Sequence, residues 1–309
     1  MLFLTKFRLL AIPMFLATVL AARAEASEGP VFRDCKQCPE LVRIRPGSFV
    51  MGSTAEESAA AQVRPDRAAA EQPKHEVRIA QSFAIGKYEI TVAEFDVFAR
   101  ATGFTTPSCL VLKGKTWLPD DKADWRNPGY AVTPRHAATC LSHSDFQRYL
   151  DWLSAKTGQR YRFPSEAEWE YVAVNGERVS ANKCRHGNAA DAAFAAAFPL
   201  AEWRRNACSD GYAAGSPVGA FQANKLGLFD LAGDVAEFAA DCFAPNHNGA
   251  PADGSARTAA PAICALRVVK GGSWAAEPGM TRPAVRMAIP LDVRGNGHGL
   301  RVVRELSPR

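Results

Sequence analysis

The eight cysteines, all between residues 35 and 264, constrain the fold of this chain more than any other feature. In an exported protein an even number of cysteines predicts disulfide bridges. Pairing by proximity along the chain gives Cys35–Cys38, Cys109–Cys140, Cys184–Cys208 and Cys242–Cys264. For the Cys35-x-x-Cys38 pair, half of a zinc site or a redox pair are alternative interpretations, but no second Cys-x-x-Cys accompanies it.

The N-terminus indicates export. Lys6 and Arg8 precede an apolar run, Leu9–Ala22, and the small residues of Ala22-Arg23-Ala24 suit signal peptidase, with Ala24-Glu25-Ala26 as an alternative. The run is short for a membrane span and contains Pro13. We therefore interpret residues 1–24 as a cleaved signal peptide and expect a periplasmic or secreted protein. No later segment is apolar enough to span a membrane.

The basic character of the chain belongs largely to this segment. Removing Lys6, Arg8 and Arg23 lowers the formal net charge from +5 to +2. A nucleic-acid-binding surface needs clustered basic residues, and none is evident, so we expect no nucleic-acid partner.

The remaining chain predicts a short N-terminal arm, residues 25–40, and one α+β domain, residues 41–306. Apolar and polar residues alternate around Pro46-Gly47, which predicts a hairpin there. Residues 54–74 are predicted to form a surface loop, and the alternation within His75–Ile79 predicts a strand. Capping boxes predict three helices, which begin after Thr91, Ser142 and Ser165. On the third helix, Glu166 and Glu170 share a face. They are interpreted as solvated, with an acid–base pair as the alternative.

From about residue 175 onward the chain is rich in Gly, Asn, Asp and Pro. Such irregular structure needs disulfides or bound cations to stay ordered. Asp230 and Glu237, with a turn at Gly233 between them, supply the hard oxygen ligands that Ca²⁺ prefers, although Asp and Gly also simply form turns. Asn206–Tyr212 is a second oxygen-rich loop. Further on, Ser273, Arg282 and Arg286 are candidates for a polar pocket, the alternative being that the arginines bind loop carbonyls.

An ordered series of short motifs makes the chain resemble the formylglycine-generating enzyme (sulfatase-modifying factor) family. The series comprises Pro46–Ser53, Tyr88–Phe95, Arg162–Tyr171, Pro217–Phe221, Asn224–Asp230, Gly233–Glu237, Lys270–Trp274 and Gly299–Arg301. It covers residues 38 to 305, nearly the whole mature chain. The resemblance implies that family's compact α+β fold, related to C-type lectins, with little regular secondary structure and structural calcium.

The resemblance also assigns calcium ligands. At one site it implies side-chain ligands Asp230 and Glu237 and main-chain carbonyls of Gly233 and Val235. At a second it implies Asp210 and Tyr212, with Asn206 as a further member.

The family's oxidases hold Cu(I) with two cysteines that follow the Gly-Gly-Ser segment, because thiolates suit this soft ion. At those positions this chain has Ala276 and Thr281, and no cysteine follows Cys264, so we do not expect copper. Ala236 also replaces a tryptophan that many members carry.

Two functions remain open. The first is a binding module that holds a peptide or small-molecule ligand near Ser273, Arg282 and Arg286. The second is an oxidoreductase with altered chemistry, since relatives without the cysteine pair include exported proteins of siderophore maturation. His298, between two glycines near the expected groove, is the histidine to examine. Formylglycine formation is the least favoured function.

Overall fold

The computed structural model describes residues 31–176, 183–199, 202–258 and 264–306. The signal peptide assigned to residues 1–24 and the beginning of the arm lie outside them. Within the described residues, no helix has the length and apolar character needed to cross a membrane. The described part of the arm is attached to the domain. Phe32 bridges to Leu41, and the Tyr161 hydroxyl donates to Asp34 at 2.6 Å.

Two four-stranded sheets and two separate strand pairs form the framework of the described residues. The strands of the described residues are β1 (Leu41–Ile44), β2 (Gly47–Met51), β3 (His75–Ile79), β4 (Phe83–Gly86), β5 (Cys109–Lys113), β6 (Thr116–Asp120), β7 (Tyr161–Arg162), β8 (Ala236–Cys242), β9 (Leu266–Lys270), β10 (Met287–Pro290), β11 (His298–Gly299) and β12 (Val303–Glu305). One sheet has the order β1-β4-β12-β7 and the other β10-β9-β8-β11, while β2-β3 and β5-β6 pair separately. The second sheet forms one side of the candidate site, because β8, β10 and β11 contribute Ala236, Met287, Ile289 and His298 to its lining.

The helices are α1 (Ala55–Ala60), α2 (Pro65–Ala68), α3 (Val92–Thr102), α4 (His143–Thr157), α5 (Glu166–Asn175) and α6 (Ala192–Ala197), with 3-10 helices at Ala69–Glu71 and Lys183–Arg185. The three predicted capping boxes are confirmed at the N-termini of α3, α4 and α5. Gly103 and Gly158 end α3 and α4 in the left-handed conformation, which glycine adopts without a Cβ penalty. The α+β fold class is confirmed.

The predicted hairpin at Pro46-Gly47 is wrong. β1 pairs with β4, with Leu41 opposite Gly86, whereas β2 pairs with β3, with Gly47 opposite Ile79. The Pro-Gly segment therefore passes the chain from one sheet to another. Alternation identifies a strand correctly, but it carries no information about the partner strand.

The surface loop predicted for residues 54–74 is also wrong in part. The segment contains α1 and α2, and Thr54 with Glu57 forms a fourth capping box. Glu71, at its end, is only 1% exposed and accepts a hydrogen bond from Ser58 at 2.9 Å. The Thr54-x-x-Glu57 spacing was present in the sequence and is the signal that would have found α1.

The largest core cluster packs α3 and α4 against both sheets. Phe95, Phe98, Phe146, Tyr149 and Trp125 are each at most 2% exposed. Phe95 meets Trp125 and Phe98 edge-on, a favoured arrangement of aromatic rings. Each such buried ring contributes about 2 kcal/mol of transfer free energy, so this half of the molecule is held mainly by burial.

The other half is held by covalent links and buried charges. All four predicted disulfides are present: Cys35–Cys38, Cys109–Cys140, Cys184–Cys208 and Cys242–Cys264. The Cys35–Cys38 pair is thus a bridge. Two of the links, Cys184–Cys208 and Cys242–Cys264, join stretches of the loop-rich region after residue 175, as an irregular backbone requires.

Candidate functional site

A cavity of about 510 Å³, called the groove cavity below, opens beside β8, β10 and β11. Its apolar lining consists of Leu110, Trp117, Trp203, Ala236, Ala275, Ala276, Met280, Met287, Ile289 and Val293. Ser273, Gly295, Gly297 and His298 form a polar part, and Arg64, Arg67, Arg204 and Glu277 contribute the charges. The volume and the mixture of apolar walls with few polar groups are typical of small-molecule sites.

Ser273 and His298 are the two predicted site residues that the structure brings together. Ser273 follows β9 after Gly271 and Gly272, which both have positive φ. His298 begins β11, and Gly297 before it lies against Ser273, so that a Cβ on Gly297 would come within 3.3 Å of the Ser273 hydroxyl. Burial lowers the pKa of His298 to about 4. Its imidazole is therefore neutral at neutral pH, and its buried Nδ1 has no hydrogen-bond partner in the described structure.

The two predicted arginines lie elsewhere. Arg286 is 5% exposed and binds both oxygens of Glu166, at 2.8 and 2.7 Å, and the carbonyls of Ala244 and Ala70. Arg282 donates to both oxygens of Glu71 and lines a second cavity of about 390 Å³. The alternative that these arginines bind loop carbonyls fits both residues, since Arg282 also donates to the Gly279 carbonyl at 3.2 Å.

Arg286 belongs to a set of buried charges that we call the balanced cluster: Glu166, Glu170, Asp241, Lys270 and Arg286. Lys270 donates to Glu170 at 2.8 Å and lies 3.5 Å from Glu166. Burial alone would raise the pKa of Glu166, but the charges of Lys270 and Arg286 hold it below its usual value. The prediction that Glu166 and Glu170 are solvated is wrong, because cations from β9 and the segment before β10 meet them in the interior.

A second set, the acidic cluster, consists of Glu89, Asp230, Asp234, Glu237 and Arg301, all at most 2% exposed. Arg301 donates to Glu237 at 2.7 Å, and Trp169 Nε1 donates to it at 2.6 Å. Both oxygens of Glu89 and the Oδ1 of Asp230 lack hydrogen-bond partners among the described residues. Burial raises the pKa of Glu89 well above its usual value and that of Asp230, which also faces Asp234, to about 7.

The composition of the acidic cluster fits a bound cation. Four carboxyl groups surround one guanidinium, and oxygen atoms without donors are expensive in the interior. A calcium ion would take hard oxygens of this kind. Glu89 would be a further oxygen ligand beside the predicted ligands Asp230 and Glu237. The predicted main-chain ligands Gly233 and Val235 lie between them in sequence, after the left-handed Asp230 (φ 60°). Sequence reasoning missed Glu89 because it precedes this loop by about 140 residues.

In the second predicted calcium loop, the carboxylate of Asp210 lies close to that of Asp191, which precedes the loop in sequence. Burial, with the nearby charge of Asp191, raises the pKa of Asp210 to about 6. Asp191 was missed because it also caps α6 through Ala193 and Phe194. The Tyr212 amide donates to Asp210 at 2.8 Å, and the Asn206 side chain donates to the Ala190 carbonyl. Cys184 lies beside the pair, but its sulfur is in a disulfide.

Comparisons with known proteins decide the family. Residues 27–306 match the model of the sulfatase-modifying factor enzyme 1-like domain. This chain belongs to the formylglycine-generating enzyme family. The formylglycine-generating enzyme of Mycobacterium tuberculosis is 29% identical over 86% of this chain and 98% of its own. The mouse protein named inactive C-alpha-formylglycine-generating enzyme 2 is 26% identical over 77% of this chain and 75% of its own.

Among solved structures, PvdO from Pseudomonas aeruginosa is 35% identical, with a TM-score of 0.75 over 91% of this chain and 99% of that protein. The two proteins therefore share their fold over almost the full length of both chains.

The family's copper does not fit this family member. Ala276 and Thr281 both lie against Gly272, since a Cβ on that glycine would come within 3.1 and 3.2 Å of their methyl groups. The positions given by the resemblance are thus adjacent in space, but neither side chain is a ligand for Cu(I). All eight cysteines are in disulfides, so no thiolate is available elsewhere.

Proposed function

We propose that this protein is an exported binding module of the formylglycine-generating enzyme family that holds a small ligand in the groove cavity. One observation carries the proposal: the groove cavity has the volume and lining of a ligand site, whereas Ala276 and Thr281 stand where the resemblance places the copper ligands and every cysteine is in a disulfide. In this proposal the family's fold is kept while the two copper-binding cysteines are replaced, which is a common way for a fold to change function.

The lining of the cavity supports a ligand class of small molecules or peptides with an aromatic or apolar body and an anionic group. Trp117, Trp203 and Met280 offer apolar surface. At the charged part, Arg64 is paired with Asp66, and Arg204 with Glu277. Arg67 is exposed and forms no ion pair with the described residues, so its guanidinium is free to bind a carboxylate or sulfonate.

The ligand class is tested with 1-anilinonaphthalene-8-sulfonate, which combines aromatic rings with a sulfonate and fluoresces when bound. We expect one saturable site, about fivefold weaker binding in Arg67→Met, and a smaller effect in Arg64→Met, because Arg64 already has a partner. Trp203→Ala should also weaken binding. Equal effects of the two arginine variants would contradict the assignment of Arg67.

The loss of the family's oxidase chemistry is tested separately. A Cys-x-Pro-x-Arg peptide incubated with Cu(I)-treated protein should keep its thiol by mass spectrometry, while the Mycobacterium tuberculosis enzyme serves as the positive control. The double variant Ala276→Cys/Thr281→Cys should acquire Cu(I) binding, because the two positions meet at Gly272. Conversion of the peptide by the wild type would refute the proposal.

An oxidoreductase of siderophore maturation is the second candidate. The similarity to PvdO over nearly the full length of both chains favours it, and in this case His298 and Ser273 would face the substrate in the groove cavity. Elemental analysis of protein isolated from its native compartment separates the two functions. Iron or another redox metal would support the oxidoreductase, and calcium without a redox metal would support the binding module.

Calcium is part of the proposal as a structural ion. Asp230, Glu89 and Glu237 would hold it in the acidic cluster with the carbonyls of Gly233 and Val235. Asp210, Asp191, Tyr212 and Asn206 would contribute to a second site. Export supports both calcium assignments, because calcium is plentiful outside the cytoplasm. Export is tested by N-terminal sequencing of the mature protein, which should start after Ala24.

A further inference from the structure

Two histidines that are far apart in sequence meet at the edge of the domain. His75 begins β3, and His247 lies in the loop after β8. Their ring centroids are 5.1 Å apart, and the rings are tilted by 52°. The contact is fixed by the backbone, because the His247 amide donates to the Gln72 carbonyl at 2.6 Å.

Both rings present a buried nitrogen without a partner. The Nε2 atoms of His75 and His247 have no hydrogen-bond partner among the described residues. Nδ1 of His75 lies 2.9 Å from the Pro73 carbonyl, which only accepts, so Nδ1 carries the proton and Nε2 keeps its lone pair. A backbone carbonyl on one imidazole nitrogen with the other left free is the usual environment of a metal-binding histidine.

The surrounding backbone holds the two histidines rigidly. Arg286 donates to the carbonyls of Ala70 and Ala244, one from each of the segments that carry the histidines. His247 is 3% exposed, and Gly52 packs against its ring. Because neighbouring backbone already orders both segments, little conformational entropy would be lost on binding.

We propose that His75 and His247 bind one divalent transition-metal ion of the zinc class through their Nε2 atoms, with solvent completing the coordination. Zinc–nitrogen bonds of about 2.0 Å in tetrahedral geometry place two imidazole centres roughly 5 Å apart, close to the separation observed. Imidazole ligands favour Zn²⁺ over Ca²⁺, so this site is chemically distinct from the acidic cluster.

Such an ion would link β3 to the loop after β8. Residues 54–74, which carry Arg64 and Arg67 to the groove cavity, end at this point. A metal ion on the two histidines fixes the C-terminal end of that segment without touching the cavity.

The test is a titration of the full mature protein with Zn²⁺, in which a chromophoric chelator competes for the ion and reports the affinity. Excess calcium is present throughout, so that the oxygen sites are already filled. We expect one equivalent to bind in the wild type and His75→Gln and His247→Gln each to lose at least about tenfold in affinity. His136→Gln is the matched control, because the ring of His136 already contacts Thr133.

Zinc should also raise the melting temperature of the wild type and leave that of His75→Gln unchanged. Since His75 is partly exposed, this variant is expected to fold, and circular dichroism checks it. Absence of stoichiometric binding in the wild type, or unchanged affinity in both histidine variants, would overturn the site. Neither result bears on ligand binding in the groove cavity.

Discussion

The balanced cluster and the acidic cluster are built on the same elements but differ in their charge. α5 contributes Glu166 and Glu170 to the first and Trp169 to the second, while β8 contributes Asp241 and Glu237 respectively. In the balanced cluster three carboxyl groups face two cations, and every carboxylate has donors. In the acidic cluster there are four carboxyl groups and one cation, Arg301, and Glu89 has no hydrogen-bond donor in the described structure.

The comparison shows how the same interior accommodates charge in two ways. Burial of ions is tolerated where each has a close partner, as for Glu166 with Arg286. Where partners are too few, the pKa of the carboxyl groups rises, as for Glu89 and Asp230, unless a cation binds. We therefore expect the balanced cluster to be complete as a protein structure and the acidic cluster to depend on calcium.

The largest expected effect is the loss of Arg301. Arg301→Met leaves the acidic cluster without a protein cation, and we expect a cost of about 3–5 kcal/mol in the free energy of unfolding. Lys270→Met is the matched change in the balanced cluster, where Glu166 keeps Arg286 and Glu170 keeps the Gly52 amide. A smaller loss, about 1–3 kcal/mol, is expected there.

Urea unfolding at constant calcium and pH measures both variants. A loss in Lys270→Met as large as that in Arg301→Met would show that the two clusters do not differ in the way their charges indicate.

Calcium removal has the next largest effect. Chelation should lower the stability of the wild type by about 2.7 kcal/mol from the value at a calcium concentration one hundred times Kd. Asp230→Asn should reduce this difference, because it weakens a ligand of the acidic cluster. Glu170→Gln, in the balanced cluster, should destabilise the protein and leave the calcium-dependent difference unchanged. Melting curves with and without chelator decide the matter, and identical curves for the wild type would rule out the calcium assignment.

Features that depend on residues close together in sequence could be predicted, whereas contacts between distant segments could not. The capping boxes of α3, α4 and α5 and the disulfides between neighbouring cysteines lie within short stretches, so spacing reveals them. The partner of β2, the burial of Glu166 and the approach of Glu89 to Asp230 depend on contacts across 30 to 140 residues. No periodicity records those contacts.

The candidate site shows the same division. Ser273 and His298 were found because glycines surround both in short motifs, and Ala276 and Thr281 because the resemblance fixes their positions. Arg286 was assigned to a pocket because its cluster of acidic partners is assembled from α5 and β8, which the sequence does not place beside it.

The smallest expected effect is on the pH dependence of stability, and it tests whether a protonated Asp241 leaves the balanced cluster without net charge. Burial, with the nearby charge of Glu166, raises the pKa of Asp241 to about 7, so below that pH the cluster holds two charged carboxylates and two cations. The folded state keeps a proton that the unfolded state releases near pH 4. Asp241 should therefore contribute a fall in stability as pH rises from about 4 to about 7, by up to about 1.4 kcal/mol per pH unit. Burial lowers the pKa of His143, His247 and His298 from 6.5, so these histidines contribute the opposite slope below that pH.

Asp241→Asn removes this proton and should make the slope of stability against pH between 5 and 7 more positive than in the wild type, whatever its effect on absolute stability. The amides of Glu166 and Arg257, which donate to Asp241, make some overall loss expected. Asp253→Asn, at an exposed position, is the control and should keep the wild-type slope. Because the readout is a slope in calcium-saturated protein, it isolates the balanced cluster from the acidic one. Equal slopes in the wild type and Asp241→Asn would mean that Asp241 is ionised in the fold and that this cluster, too, carries excess negative charge.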